Sequence, residues 1–275
     1  MIVSLLLEGE YVKRKTTILR APPLRKRIAR ILVDIGRRAQ LGASDEPFFT
    51  KNRDAEALLR SDPFAFLLAI IFDQSVDAEV AWQAPLRLRD RLGSIDPEFL
   101  VTHRDELEAA IKGPPAIHRF VNTMTDWVWR AAWRVGEGDY DNDAARIWND
   151  RPTAVDLQRR LCEFKGIGQK KAAMAVELLE RHMGVKIKRL DGSDIAVDVH
   201  VRRVFLRAGL ADRDDRDHII AEARLLWPER PGALDYGAWR LGRSVCRARD
   251  PECSECPIES MCPKFFDRAS GVRAT

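Results

Sequence analysis

A pair of glycines between two helical patterns is the feature that most constrains this chain. Leu157, Leu161 and Phe164 recur at helical spacing, and Gly166-Ile167-Gly168 then ends that helix in a tight turn. A second helix is predicted to follow, with an apolar side made of Ala172, Val176, Leu179 and Met183. Such a helical hairpin directs bare backbone N–H groups, and the positive end of its second helix, at a phosphate. The glycines alone, however, fit an ordinary corner between two helices better than a binding site.

Helical patterns dominate the rest of the chain, and no segment alternates like a strand over a useful length. The run from Phe64 to Phe72 is apolar on all sides, so we expect it to lie at the centre of a helical core. Further helices are predicted over Leu24–Leu41, Asp77–Leu92, Val121–Val135, Val199–Leu210, Arg213–Trp227 and Leu234–Val245, and short ones start at Asp96-Pro97 and His103-Arg104. A loop is predicted over 136–143. The predicted fold class is therefore all-α.

Length and composition limit the functions that the chain can have. Its 275 residues, 45% of them hydrophobic, suffice for one large or two small domains with a real core. A formal charge of +4 with 46 Lys and Arg permits nucleic-acid binding without requiring it. No apolar run approaches the roughly 18 residues that a membrane helix requires. The apolar start at 1–7 is followed at once by Glu8 and Glu10, unlike a signal peptide. We therefore expect a cytosolic protein with no membrane partner.

Four of the five cysteines are clustered late in the sequence. Cys246, Cys253, Cys256 and Cys262 are separated by six, two and five residues, which places four thiolates in one compact loop. Such a set can hold a zinc ion or a [4Fe–4S] cluster, and the spacing alone slightly favours zinc. The fifth cysteine, Cys162, lies in the first helix of the hairpin and is predicted to be buried.

Three segments follow one another along the chain: the hairpin Phe164-Lys-Gly-Ile-Gly-Gln-Lys-Lys-Ala172, the segment Ala196-Val-Asp-Val-His200, and the four-cysteine loop. Together, and in this order, they resemble the endonuclease III-like DNA glycosylases of the HhH-GPD superfamily. The resemblance implies that Lys170, in the second helix of the hairpin, is the catalytic nucleophile. It also implies that Asp198 is the catalytic aspartate.

The same resemblance bears on the metal and on the choice of aspartate. The spacing of the four cysteines is similar to that of the family's iron–sulfur loop, which implies a [4Fe–4S] cofactor with a structural role. The interval between Lys170 and Asp198 is longer than in the family, because of residues 181–195. Asp191 and Asp194 in that insert are therefore rivals for the catalytic role.

The resemblance further assigns residues that would contact DNA. Gln74 would fill the space left by a flipped base and Asp73 would line the base pocket, although capping of the next helix explains this segment equally well. Ile117 would be a wedge pushed into the base stack, with His118 beside it, although a plain proline-rich turn fits better. The other predicted DNA contacts are Gly166, Gly168, Lys171, Arg247 and Arg249.

Two helical domains with a DNA cleft between them follow from the resemblance. One is a six-helix barrel that contains the helix-hairpin-helix, and the other carries the iron–sulfur cluster. The predicted parts are an extension at 1–23, N-terminal helices at 24–61 that pack with the C-terminal domain, the barrel at 62–190 with its hairpin at 155–183, and the C-terminal domain at 191–275 with its cluster loop at 246–262.

The predicted activity is base excision repair. The chain would act as a nucleoid-associated monomer on double-stranded DNA, flipping and removing a damaged or modified base. Lys170 would then cleave the strand as an AP lyase through a Schiff base. One alternative is a monofunctional glycosylase that uses Asp198 and a water to remove uracil, mismatched thymine or an alkylated base. Another is a non-catalytic iron–sulfur protein that only binds DNA.

Overall fold

The computed structural model describes residues 22–41 and 48–269. Within these ranges the chain is helical and has no strand, which confirms the predicted all-α class. The helices are α1 Pro22–Leu41, α2 Arg53–Ser61, α3 Pro63–Phe72, α4 Ala78–Leu92, α5 Pro97–Thr102, α6 Arg104–Lys112, α7 Val121–Trp133, α8 Ala154–Cys162, α9 Gln169–His182, α10 Val199–Arg207, α11 Arg216–Leu226 and α12 Asp235–Ser244. No helix in the described part of the chain is both long and apolar enough to cross a bilayer. Most of the predicted extension at 1–23 lies outside the described residues.

The chain divides into two compact units. We call residues 43–189 the hairpin unit, and residues 1–42 together with 190–275 the cysteine unit. Helix α1 therefore belongs with the C-terminal part of the chain, where it packs against α12, whereas α2 packs against α3 and α4 in the hairpin unit. The domain boundaries given above stay predictions.

Helix α3 forms the centre of the hairpin unit. Asp62 caps its N-terminus by accepting hydrogen bonds from two backbone N–H groups of the first turn, and Pro63 occupies that turn. Every residue from Phe64 to Phe72 is buried, as the uniformly apolar sequence predicts. Helices α2, α4 and α7 pack around it. Full burial of a large side chain such as Phe66 contributes roughly 1.5–3 kcal/mol, so α3 anchors this unit.

The cysteine unit has a core of its own. Helix α1 contributes Ile28 and Leu32, which pack with Phe205 of α10 and Leu241 of α12. Helices α1 and α12 approach very closely: a Cβ on Gly237 would lie 2.0 Å from the carbonyl oxygen of Leu32. Only a residue without a side chain allows this crossing, so Gly237 sets how α1 joins the unit.

The end of α7 differs from the prediction of a helix to Val135 and a loop from Gly136. The helix continues into a π-helical turn, Arg134–Gly138. The N–H of Asp139 donates to the carbonyl oxygen of Arg134 at 3.0 Å, which closes a wider ring than an α-helix does. The turn packs on α5, where a Cβ on Gly136 would lie 3.3 Å from the backbone nitrogen of Glu98. This contact between distant segments is invisible in the local sequence pattern.

Candidate functional site

The predicted glycine hairpin is present between α8 and α9. Thr153 caps α8, and its hydroxyl accepts a hydrogen bond from the N–H of Asp156 at 3.2 Å. Gly166 in the turn has φ of +88°, and a Cβ there would lie 2.2 Å from the ring of Trp127. Glycine alone satisfies both conditions. The shape of the turn is thus fixed by its contact with α7.

Gly168 stands in a different environment two residues later. Its φ of −99° is extended backbone, and no atom of the described chain lies within 4 Å of the position of a Cβ. It is the N-cap residue of α9, and no side chain caps this helix end. Lys170 lies in the first turn of α9 and is exposed. Open backbone, the positive end of a helix and an exposed amine therefore share one surface, which can bind a phosphate.

Lys171, the next residue, faces the interior. Its side chain is buried, and its Nζ donates to the carbonyl oxygen of Ile71 at 3.1 Å. Burial lowers the pKa of Lys171 to about 8, with Asp73 opposing the shift and Lys170 adding to it. The geometry does not support the predicted phosphate contact by Lys171, because its amine is held inside the hairpin unit.

The loop before α7 also places its predicted residues inside. Ile117 is 1% exposed and His118 is 2% exposed, whereas Phe120 is 43% exposed. The geometry therefore does not support the predicted wedge role of Ile117, because packing against the core keeps its side chain from the surface. His118 contacts the polar turn after α3 instead: its Nε2 is 3.1 Å from the carbonyl oxygen of Gln74. The structure thus brings two of the predicted residues, Gln74 and His118, together.

Asp198 is the N-cap residue of α10 in the cysteine unit, which agrees with its place directly before the helix predicted to start at Val199. Its Oδ1 accepts hydrogen bonds from two backbone N–H groups of the first turn, both at 2.8 Å. Of its two rivals, Asp191 is exposed, and Asp194 is buried in an ion pair with Arg224. That pair uses both carboxylate oxygens of Asp194, at 2.8 and 2.9 Å. The capping hydrogen bonds of Asp198 thus use Oδ1 alone, whereas the ion pair of Asp194 uses both of its carboxylate oxygens.

The four clustered cysteines line one cavity in the cysteine unit, together with apolar side chains and Arg207. Burial raises the pKa of Cys262 to about 11 and also raises that of Cys256, so thiolates here require a positive partner. In the described ranges, no three His, Cys, Asp or Glu side chains are grouped as a ready site for a metal ion. Cys162 is exposed, contrary to prediction, because it lies at the end of α8 on its outer side.

Two arginines that donate hydrogen bonds to the cysteine loop were not predicted from the sequence. The Nε of Arg203 donates to the carbonyl oxygen of Cys246 at 2.7 Å. The Nη1 of Arg207 donates to the carbonyl oxygen of Arg247 at 2.7 Å and lies 3.7 Å from the Sγ of Cys246. Both arginines are buried on α10, one turn apart. The sequence signal for them is weak, because both lie off the apolar stripe formed by Val201, Val204 and Phe205. Once buried, an arginine must find acceptors, and the loop supplies them.

The two arginines predicted to contact phosphate lie at the surface of the same loop. Arg247 forms an ion pair with Glu252 at 2.6 Å, and Arg249 is exposed. A phosphate contact by Arg247 would therefore compete with this carboxylate. Among the predicted residues, His118 and Lys171 meet the end of α3 near Gln74 in the hairpin unit, and the four cysteines line the cavity of the cysteine unit.

Comparison with known proteins identifies relatives by sequence. No protein-family model matches the chain. It is 31% identical over 111 residues to an endonuclease III of Rickettsia conorii, covering 40% of this chain and 48% of that protein. It is also 31% identical over 111 residues to an adenine DNA glycosylase of Arabidopsis thaliana, covering 38% and 16%. An endonuclease III homolog of Encephalitozoon cuniculi is 25% identical over 205 residues, covering 73% and 78%. The chain spans less than half of the length of the first two.

Solved structures share the fold. A trapped endonuclease III–DNA covalent intermediate matches with a TM-score of 0.61 and 19% identity, over 88% of this chain and 98% of that one. A thermostable thymine-DNA glycosylase matches with a TM-score of 0.60 and 17% identity, over 89% and 97%. The chain is therefore endonuclease III-like: it is related in sequence to endonuclease III and adenine DNA glycosylase, and it has the endonuclease III fold.

Proposed function

We propose that this chain is a base excision repair DNA glycosylase with an associated AP lyase activity. Its substrate would be double-stranded DNA that contains a damaged or modified base. The observation that carries the proposal is the hairpin, where Gly168 leaves open backbone two residues before the exposed amine of Lys170. A phosphate bound there would hold the DNA strand beside that amine. The names of the sequence relatives agree with this chemistry.

The proposed reaction starts once the target base has left the stack. The neutral amine of Lys170 attacks C1′ of the sugar while the bond between C1′ and the base breaks, and the base leaves with a proton. Opening of the sugar ring then gives a Schiff base between Lys170 and C1′. Removal of a proton from C2′ expels the 3′ phosphate by β-elimination. Hydrolysis of the Schiff base returns the amine.

Asp198 would stabilise the positive charge that develops on the sugar. Its Oδ1 already accepts two backbone hydrogen bonds, which hold the carboxylate in one orientation. The second oxygen, Oδ2, would carry the interaction with the sugar. This arrangement combines the helix-capping and catalytic interpretations of Asp198, because each uses a different oxygen.

The four clustered cysteines would hold a [4Fe–4S] cluster. They fit such a group because all four line one cavity, in which burial leaves the thiolates in need of positive charge. A bound cluster would have a structural role, because its four bonds would cross-link the loop from Cys246, just after α12, to Cys262. Iron and sulfide analysis of the purified protein tests this assignment, with about four irons per chain expected. Zinc in place of iron would contradict it.

We further propose that a monomer binds the DNA and that the protein works at the nucleoid. Phosphate contacts would make the affinity fall steeply with salt, because binding releases condensed counterions. Chromatography of the protein–DNA complex at several salt concentrations measures both the stoichiometry and this slope. A flat response to salt, or a complex with two chains, would contradict this part of the proposal.

Borohydride trapping on an oligonucleotide with an abasic site tests the mechanism. Wild type is expected to form a covalent adduct, and Lys170→Ala is expected to form none while still binding the duplex. Lys186→Ala, which removes an exposed lysine elsewhere in the hairpin unit, is the matched control and should trap like wild type. An adduct that persists in Lys170→Ala would place the nucleophile elsewhere.

Two further outcomes separate the alternatives. No adduct with wild type, but release of a free base, would indicate a monofunctional glycosylase that uses Asp198 and water. Asp198→Asn should then abolish base release. Neither an adduct nor base release over a panel of modified duplexes would leave a protein that only binds DNA.

A further inference from the structure

The polar turn that follows α3 includes one residue, Ser75, in a rarely adopted backbone conformation. Asp73, with φ of −69° and ψ of 63°, is the centre of an inverse γ-turn. The turn is closed by a hydrogen bond from the N–H of Gln74 to the carbonyl oxygen of Phe72 at 2.7 Å. Ser75 then has φ of +55°, in the left-handed region that residues other than glycine rarely adopt. A shape of this kind persists only where its surroundings determine it.

Two buried side chains hold the turn in this shape, one through a residue before it and the other through a residue within it. The Nζ of Lys171 donates to the carbonyl oxygen of Ile71 before the turn, and the Nε2 of His118 donates to that of Gln74 within it, both at 3.1 Å. Both donors are almost fully buried, whereas the side chains of Asp73 and Gln74 remain half-exposed. The backbone is therefore held from inside, while the two polar residues remain partly accessible to solvent.

The partners of His118 define its protonation. The N–H of Phe120 donates to Nδ1 at 3.0 Å, so Nδ1 carries no proton. The carbonyl oxygen of Gln74 can only accept, so the single ring proton lies on Nε2. Burial lowers the pKa of His118, the hydrogen bond to Gln74 opposes this shift, and the charges of Arg119 and Lys171 add to it. The ring thus stays neutral at neutral pH, in the one tautomer that holds Gln74.

Lys171, which holds this turn, also lies close to the glycine hairpin. The Nζ of Lys171 lies 5.8 Å from the centre of the Trp127 ring, and that ring fills the space in which Gly166 has no side chain. The surface proposed to bind phosphate and the turn that carries Gln74 are therefore joined through Trp127 and Lys171 within the hairpin unit.

We propose that His118 and Lys171 are positioning residues that fix the turn from Asp73 to Ser75 before DNA binds, and with it the direction in which the side chain of Gln74 leaves the backbone. This inference rests on the proposed function, and on the expectation from the sequence resemblance that Gln74 enters the space of the flipped base. A side chain fixed in advance loses less conformational entropy on binding. Loss of the His118 contact should therefore weaken binding only where Gln74 is present to benefit.

A double-mutant cycle on binding tests this dependence. The quantity measured is the preference for a duplex with a tetrahydrofuran abasic analogue over the same duplex intact. We expect His118→Met and Gln74→Ala each to lower this preference about tenfold, and the double variant to lower it no further than Gln74→Ala alone. His118→Gln, which keeps an N–H donor near Nε2, should retain most of the preference. Equal losses from His118→Met in both backgrounds would overturn the inference, because a general structural role acts regardless of Gln74.

A second measurement uses the unaltered protein and needs no variant to fold. Nitrogen NMR of the histidine rings at neutral pH should show His118 as a neutral ring protonated on Nε2 alone. A ring protonated on Nδ1, or one that exchanges between tautomers, would overturn the inference. Failure of the proposed function looks different: wild type would then show no preference for the abasic duplex, and the inference would fall with it.

Discussion

The glycine hairpin and the cysteine loop reach their shapes by opposite means. The hairpin is held by apolar packing, since Phe164 and Ile167 are buried and Gly166 rests on the Trp127 ring. The cysteine loop has only short 3-10 turns, and its shape depends on hydrogen bonds from two arginines of α10. Ile258 is its buried apolar side chain in the core of the unit, and Met261 and three of the cysteines pack against that core while only partly buried.

The difference teaches where each region's stability comes from. A segment that packs its own side chains keeps its shape without help, whereas a segment with few apolar contacts needs a cross-link, commonly a metal. We therefore expect the hairpin to be sensitive to volume and backbone changes. The cysteine loop should instead be sensitive to loss of a ligand.

The largest effect should come from removing one clustered cysteine. Cys253→Ser should abolish most of the bound iron and destabilise the cysteine unit by several kcal/mol, because metal binding contributes directly to folding. Metal analysis and thermal unfolding measure the two effects. Cys162→Ser, which alters the exposed cysteine outside the loop, is the control and should change neither. Normal iron content in Cys253→Ser would remove the contrast between the two regions.

Gly166→Ala should have the next largest effect. The substitution adds a Cβ to a residue with positive φ and forces it against the Trp127 ring, so we expect a loss of about 3 kcal/mol. Gly184→Ala is the matched control, because Gly184 has φ of +68° but no atom of the described chain within 4 Å of its Cβ position. It should lose about 1 kcal/mol, the cost of the backbone conformation alone. Urea unfolding measures both free energies. Equal losses in the two variants would show that packing on Trp127 does not shape the hairpin.

Gly168→Ala should separate binding from stability. Gly168 has an ordinary φ and open space around it. We therefore expect the free energy of unfolding to change by less than about 1 kcal/mol. The added methyl group would cover backbone that the proposal assigns to a phosphate, so DNA affinity should fall about tenfold. Fluorescence anisotropy with a labelled duplex measures this. Unchanged affinity would mean that the surface beside Lys170 does not contact DNA.

Much of the fold follows from the sequence because its helices carry local signals. Asp62 and Pro63 mark the start of α3, and the unbroken apolar run to Phe72 predicts its burial. The glycines of the hairpin and the spacing of the clustered cysteines are local signals of the same kind. Each depends on neighbours in the chain, so a single sequence is sufficient to find it.

The direction of individual side chains could not be predicted in this way. Lys170 and Lys171 are adjacent and chemically alike, yet one is exposed and the other is buried against α3. Ile117 is buried although it lies in a proline-rich loop, and Arg203 finds its acceptor in a loop more than one helix away. These outcomes depend on how helices pack, which local periodicity does not specify.

The smallest effect should be a pH dependence that distinguishes the two adjacent lysines. The pKa of Lys171 is about 8 in the folded chain against 10.5 when unfolded, so the unfolded state binds more protons between these values. Stability should therefore rise with pH in that window, and the gain from pH 7 to pH 9 should be roughly 1 kcal/mol.

Comparison of wild type with Lys171→Met by urea unfolding at pH 7 and pH 9 isolates this contribution, because methionine fills a similar volume without a titrating amine. The free energy of unfolding of wild type should increase relative to that of the variant as the pH rises through 8, because deprotonation removes the cost of burying a charge. Lys186→Met removes an exposed lysine and should follow wild type at both pH values. Parallel behaviour of Lys171→Met and wild type would mean that the amine keeps its proton while bound to Ile71. Lys171 would then be an ordinary cation at the C-terminal end of α3, and burying its charge would cost no stability.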